Sequence, residues 1–283
     1  MSGSFGNDES KATSVLARSG LQRLGASSPT VSIGEGEAPD VGWLGKRILA
    51  IDGKAAFELS WWCGTCPLVF QRLEGADRTL SMEALTERLD TGLDGVDSSV
   101  VETVAAVLPE ADYLPLLLEI HPRLVFPGGD GDYYSDEQVA TWGVGAFWGL
   151  PENPRIPYYR TVTRVVADEA RLFEFVVPMV PPNWNDRGRV EHHADRLRHG
   201  SEPTCVALGV LDIHQRAIWE TPVGGLVHWG LAHFLLDGHH KIEAAARSGR
   251  AIRLLSLVSV DSSLATRDDI ERLPDVLAGA PIG

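Results

Sequence analysis

An α+β fold is expected from three features of the sequence. Strand-like and helix-like hydrophobic periods both occur, with the clearest alternation after Tyr159. Short apolar runs end at Gly, Pro or Asp-Gly punctuation rather than continuing into long helices. The composition is that of an ordinary globular protein: 283 residues, 44% hydrophobic and 23% charged. That balance excludes collagen-like, wholly disordered and coiled-coil chains. A chain of this length can bury a substantial core, as one large domain or two smaller ones.

Residues 1–42 are rich in Ser, Gly and acids and are nearly free of aromatics, so they read as a flexible tail. Within them, VLARSGLQRL has the makings of a short helix. Ordered structure is expected from about Trp43. KRILAIDGKAAFELSWW reads as two strands around an Asp52-Gly53 turn. In CGTCPLVFQRLEG, the residues Leu68, Val69, Phe70 and Leu73 point to a helix stopping at Gly75. SMEALTERLDTGL and SSVVETVAAVL read as helices, with Ser81 and Ser98 as N-caps. ADYLPLLLEIHPRLVF is broken by Pro115 and Pro122 and fits strands. The segment from Phe126 to Tyr159 is dense in Gly, Pro and aromatics and marks a boundary. It divides an α/β domain over 43–150 from a second domain over 151–283. In the latter, YRTVTRVVADEARLFEFVVPMV reads as paired strands turning at Asp168 and Glu169. VEHHADRLRHG is a helix ended by Gly200. CVALGVLDI and HWGLAHFLL are strands, HHKIEAAARSG a helix, AIRLLSLVSV a strand and RDDIERLPDVLAG a terminal helix.

The 39 acids outnumber the 25 bases, for a net charge of -14. Nucleic acid is therefore not expected as a partner, because phosphate-backbone binding rests on many Lys and Arg contacts. No apolar run reaches the roughly 18 residues of a membrane span. The N-terminus lacks a basic region followed by an apolar one, and the three cysteines are too few for a disulfide framework. A cytoplasmic protein acting on a small molecule is expected.

The sharpest chemical signal is LLDGHHKIEAAARSGRAIRLLSLV. A buried strand runs through Asp237 into Gly238 and directly into a helix. The first amides of a helix lack backbone partners and carry the positive end of its dipole, so an anion there satisfies them. Gly238 permits close approach, and His239, His240 and Lys241 can donate charge-assisted hydrogen bonds. The same residues also suit a plain Asp-Gly turn with solvated side chains. Upstream, DRGRVEHHADRLRHG concentrates Arg187, Arg189, Arg196 and Arg198 with three histidines. This is either a cationic strip beside the phosphate or a salt-bridged helix face. Asp237, Glu191, Asp186 and Glu243 are the carboxylates available as a base or for metal binding.

The DGHHK turn, its strand–helix–strand setting and the preceding PPNWNDRGR loop resemble the ParB/sulfiredoxin-like superfamily, over about residues 160–262. The resemblance implies a ParB/sulfiredoxin-like domain in which Gly238, His239, His240 and Lys241 contact nucleotide phosphates. Lys241 stands where many members have Arg, exchanging a bidentate fork for a point charge. The activity implied is that of a nucleotide-dependent phosphotransferase or hydrolase, using ATP or another nucleoside triphosphate with Mg2+. A non-enzymatic nucleotide-binding regulator is the alternative within the superfamily.

Trp62-Cys63-Gly64-Thr65-Cys66-Pro67 resembles the thioredoxin-like active-site motif. A helix opening here would stabilise the Cys63 thiolate for thiol–disulfide exchange. The alternatives to redox exchange are that Cys63 and Cys66 form half of a zinc site that distant histidines such as His121 would complete, or a pair of structural thiols. Gly128 to Asp132 lacks the full calcium-loop pattern and reads as a solvated turn. Trp142, Phe147, Trp148, Tyr158 and Tyr159 are either pocket-lining or core aromatics, and no Gly-X-Ser-X-Gly element is present.

Overall fold

The central strands of this protein are apolar at almost every position, which is what a sheet covered on both faces requires. The computed structural model describes residues 12–36, 46–62, 67–137, 154–214 and 226–280. Among them, the strands are β1 (Ser14–Arg18), β2 (Gln22–Leu24), β3 (Val31–Gly36), β4 (Lys46–Ile51), β5 (Lys54–Trp62), β6 (Pro67–Arg72), β7 (Ala111–Ile120), β8 (Arg123–Val125), β9 (Tyr158–Arg160), β10 (Arg164–Ala167), β11 (Ala170–Pro178), β12 (Thr204–His214), β13 (Val227–Asp237) and β14 (Ile252–Ser259). The helices are α1 (Thr86–Thr91), α2 (Ser98–Ala105), α3 (Arg187–Arg198), α4 (His239–Ser248) and α5 (Arg267–Leu277). The α+β class is thus observed.

A ten-stranded sheet runs in the order β1-β7-β14-β12-β13-β11-β9-β8, with β10 added to β11 and β2 to β7. A second sheet, β3-β4-β5-β6, is fully antiparallel. Alternation along β12 shows how the layers stack. Val206, Leu208 and Val210 join a core with Phe57 and Phe70 of the small sheet and Val100 and Val104 of α2. Cys205, Ala207 and Leu211 face the other way, toward Val190 of α3, Ile242 of α4 and Leu273 of α5. The large sheet is therefore sandwiched between the small sheet with α1 and α2 on one side and α3, α4 and α5 on the other.

Three expectations are corrected. Residues 14–36 hold three strands instead of a tail or helix; β1 is a half-exposed edge strand, and its order comes from pairing with β7. Composition alone does not register such a strand, because its stability resides in a distant partner. Pro67–Arg72 is strand β6, not a helix, since its apolar run pairs with β5. The sheet also disregards the expected boundary near 150: β1, β2, β7 and β8 share it with the strands that follow.

Local signals elsewhere match the geometry. Asp52 and Gly53 both take positive φ, 45° and 75°, in the two-residue β4–β5 turn. The residue that caps α2 is Asp97 rather than Ser98, its carboxylate accepting from the Ser99 and Val100 amides. Helix α3 begins at Arg187, earlier than its apolar period indicates, because Asp186 caps it through the Arg189 amide.

Candidate functional site

Strand β13 delivers the chain to Gly238, where φ is 99°. A Cβ at this position would lie 2.6 Å from the Cys205 Sγ and 3.0 Å from the Cys205 Cα. Glycine is thus required both by the left-handed turn and by packing against β12. Burial pushes the Cys205 thiol up to about 12, so it is not a nucleophile at neutral pH.

The side chains after Gly238 diverge. His239 is buried, and its Nε2 accepts the Met179 amide hydrogen at 3.0 Å. Burial, with a smaller effect from His240, lowers its pKa to about 3, so it is neutral. Lys241 turns under the helix to Asp90 in the last turn of α1, with Nζ 2.7 Å from Oδ1, and donates to the Thr204 carbonyl at 3.4 Å. Burial would raise the Asp90 pKa, but the hydrogen bond and charge of Lys241 hold it below the usual carboxylate range. Neither His239 nor Lys241 presents a cationic donor outward, which corrects their expected role as phosphate contacts.

His240 remains at the surface of the corner. Its Nε2 accepts the Asp186 amide hydrogen at 3.2 Å, which joins the N-termini of α3 and α4. Its pKa is lowered by burial and by the charge of Arg189, against the opposing fields of Asp186, Glu243 and Asp237. The corner therefore gathers one imidazole, one guanidinium and three carboxylates. Arg189 is exposed and forms no ion pair among the described residues.

Glu243 is buried and holds the loop in place. It receives Arg187 through two oxygens, the Nη2–Oε2 contact being 3.0 Å, and Asn185 Nδ2 at 2.8 Å. Arg187 is thus a loop anchor, not an unpaired phosphate ligand. Arg196 lies 3.6 Å from Asp90 and Arg198 pairs with Asp195, so most of the basic strip is a salt-bridged helix face. Glu191 lies in a shallow groove with Ala194, Arg198, Arg247 and Ser248, apart from the groups that act on His240. Asn185 and Asp90 were not singled out from sequence. The first stands in the PPNWNDRGR loop; no local signal marks the second.

Cys63 and Cys66 lie outside the described residues, as do Trp142, Phe147 and Trp148. The described residues after Cys66 form a strand, which removes the helix N-terminus on which the thiolate argument rested. Tyr158 and Tyr159 are fully buried, and Tyr158 packs edge-on against Phe70 at 5.5 Å. Asp132 is also buried; it accepts from the Gly128 amide and from the Ser135 and Tyr158 hydroxyls, so it closes its own turn.

One hydrogen-bonded series was not foreseen. His233 Nδ1 lies 2.7 Å from the Ser256 Oγ and its Nε2 lies 3.2 Å from Glu174. Thr13 and Thr161 donate to the other Glu174 oxygen. Ser256 and His233 have no solvent exposure and Glu174 is 3% exposed, so this serine–histidine–glutamate series is sealed from substrate. It ties β14, β13 and β11 together.

No protein-family model, curated protein or solved structure matches this chain. Among the described residues no helix is long and apolar enough to cross a membrane, and no cluster of three or more metal-ligating side chains occurs.

Proposed function

We propose that the α3–α4 corner binds the phosphates of a nucleotide and that the protein is a nucleotide-dependent phosphotransferase acting on a small molecule. The observation that carries the reading is the hydrogen bond from the Asp186 amide to His240, which brings two helix N-termini together beside Arg189. Two dipoles ending at one place and an exposed guanidinium with no ion pair among the described residues attract a compact anion in a chain that is otherwise acidic. The N-cap residue of α4 is Gly238, which has no side chain with which to cap the first turn, so its amides suit phosphate oxygens. The element order β11–α3–β12–β13–α4–β14 agrees with the order implied by the ParB/sulfiredoxin-like resemblance.

The roles divide by exposure. His240 and Arg189 contact phosphate, while His239, Lys241, Arg187 and Glu243 hold the two helices at fixed separation. Asp237, at the exit of β13, and Asp186 are the carboxylates suited to hold Mg2+ or to accept the proton of an attacking hydroxyl. Positioning and electrostatics supply most of the catalysis in such transfers, so rigid anchors matter as much as the contacts.

Calorimetric titration of the full chain with ATP, with and without Mg2+, tests this reading. Mg2+-dependent binding, weakened at least about tenfold by Arg189→Ala with the fold intact, is expected; a tenfold loss equals roughly 1.4 kcal/mol. Absence of binding by ATP, ADP, CTP and GTP at millimolar concentration would overturn it. Phosphate release or transfer that survives Asp237→Asn unchanged would remove Asp237 from the mechanism.

A further inference from the structure

We propose that Trp184 is the platform on which a nucleobase stacks beside the α3–α4 corner, so that the ligand of the corner is a nucleoside polyphosphate and not a bare polyphosphate. The platform adds the base end to the phosphate reading of the corner, on which it rests. Trp184 is 57% exposed, although an indole is ordinarily among the more buried side chains. It stands in the short turn Pro182–Trp184 on the way from β11 to α3.

The turn fixes the backbone that carries the indole. Pro181 and the buried Pro182 precede it, and the Trp184 amide donates to the Pro181 carbonyl at 2.9 Å. On the other side, the buried Asn185 donates from Nδ2 to Glu243 at 2.8 Å and to the His239 carbonyl at 3.3 Å, both on α4. Asp186 follows, and its amide donates to His240. Consecutive Cα atoms are about 3.8 Å apart, so those of Trp184 and Asp186 are separated by about 7.6 Å at most. A ribose with its first phosphate bridges such a gap and leaves the remaining phosphates for His240 and Arg189.

One face of the indole is already taken. The Arg72 guanidinium of β6 lies over the ring, 5.8 Å from its centroid. Arg72 is itself held by the Ala76 carbonyl, to which Nη2 donates at 2.7 Å and Nε at 3.2 Å. The ring quadrupole attracts that cation, which steadies the indole from behind. The exposure of Trp184 therefore belongs to the opposite face and the rim, where a flat ring system covers apolar surface that the fold leaves open. Every base has a π-face and inorganic polyphosphate has none, so the platform selects the base-bearing anion. A second observation points to a ligand at this corner independently of the helix dipoles. Tyr159 is 1% exposed, and its hydroxyl has no hydrogen-bond partner among the described residues. The charged groups that act on it are Glu243, Arg187 and Cys205, the residue that packs on Gly238, so it lies beneath the head of α4. A buried hydroxyl without a partner costs stability, and a ligand oxygen, directly or through a trapped water, relieves that cost.

Calorimetric titration of the full chain with ATP and with tripolyphosphate, both with Mg2+, is the test, because tripolyphosphate carries the phosphates without a base. Trp184→Ala is expected to weaken ATP about tenfold or more and to leave tripolyphosphate unchanged. Trp184→Phe should keep most of the ATP affinity, and Arg189→Ala should weaken both ligands together. Should Trp184→Ala fail to fold, proton NMR of ATP bound to the wild type decides. The adenine H2 and H8 resonances are then expected upfield of those of free ATP, shifted by the indole ring current. Unshifted adenine protons in bound ATP overturn the platform and leave the phosphate reading standing. So does a folded Trp184→Ala protein that binds ATP as the wild type does, or that loses ATP and tripolyphosphate in equal measure. Wild type that binds neither ligand overturns the phosphate reading and the platform with it.

Discussion

Replacing Gly238 by alanine separates two reasons for a glycine at the head of α4. At φ 99° a side chain is strained, and the new Cβ would sit 2.6 Å from the Cys205 Sγ and 2.9 Å from its Cβ. The backbone conformation costs about 1–2 kcal/mol. Forcing an atom into the packed β12 face adds about 1–3 kcal/mol. A loss of about 2–5 kcal/mol is therefore expected, a large fraction of the roughly 5–15 kcal/mol stability of a typical protein. Cys205→Ala in the same background removes the sulfur and should return about 1 kcal/mol of the steric share, leaving the conformational share untouched. Urea unfolding of wild type, both single variants and the double variant yields the coupling. Additivity within about 0.5 kcal/mol would refute the packing argument. A Gly238→Ala protein with wild-type stability but lost ATP binding would show instead that glycine serves only the approach of phosphate.

Other expectations follow from the same anchors. His239 is neutral in the fold, with its pKa lowered from 6.5 to about 3. The unfolded chain binds a proton there first, so stability is full above about pH 6.5 and declines as pH falls toward about 3, by up to about 1.4 kcal/mol per pH unit. His239→Gln, which can still accept from Met179 but does not titrate, should remove that slope in denaturant midpoints measured across pH 4–7; an unchanged slope would contradict the assignment. Lys241→Met leaves a partly buried Asp90 with only the longer Arg196 contact at 3.6 Å and should cost about 1–3 kcal/mol. Wild-type thermal stability in Lys241→Met would show that Lys241 is not an anchor. Ser256→Ala should cost about 1–3 kcal/mol by orphaning His233 Nδ1. A fluorophosphonate probe should leave Ser256 unlabelled in the native protein; labelling would mean that the serine–histidine–glutamate series is reachable.

Much of the second half was legible because its signals are local. Strand β13 ending in Asp-Gly, helix α4 ending at Gly249 and the Asp168-Glu169 turn each depend on residues within a few positions of one another. The candidate site was legible in outline through the same run. The division of labour within it was not, because it depends on groups far away in the chain. Met179 turns His239 inward, Asp90 takes Lys241, and Glu243 takes Arg187. Strands β1 to β3 escaped notice for a related reason, since an edge strand with an ordinary polar composition becomes a strand only when a partner such as β7 is present. The short apolar run of β6 fitted either period, and pairing with β5 chose between them.

By itself, the sequence determined the α+β class, the strand–glycine–helix–strand unit around Gly238 and the acidic balance that disfavours polyanions. Those properties follow from periodicity, capping and composition, which act over one or two turns of chain. Only the tertiary structure decided which side chains of DGHHK face solvent and that one sheet spans both halves. Each of these is a meeting of residues far apart in sequence, set by sheet register and layer packing, and neither can be read from neighbours along the chain.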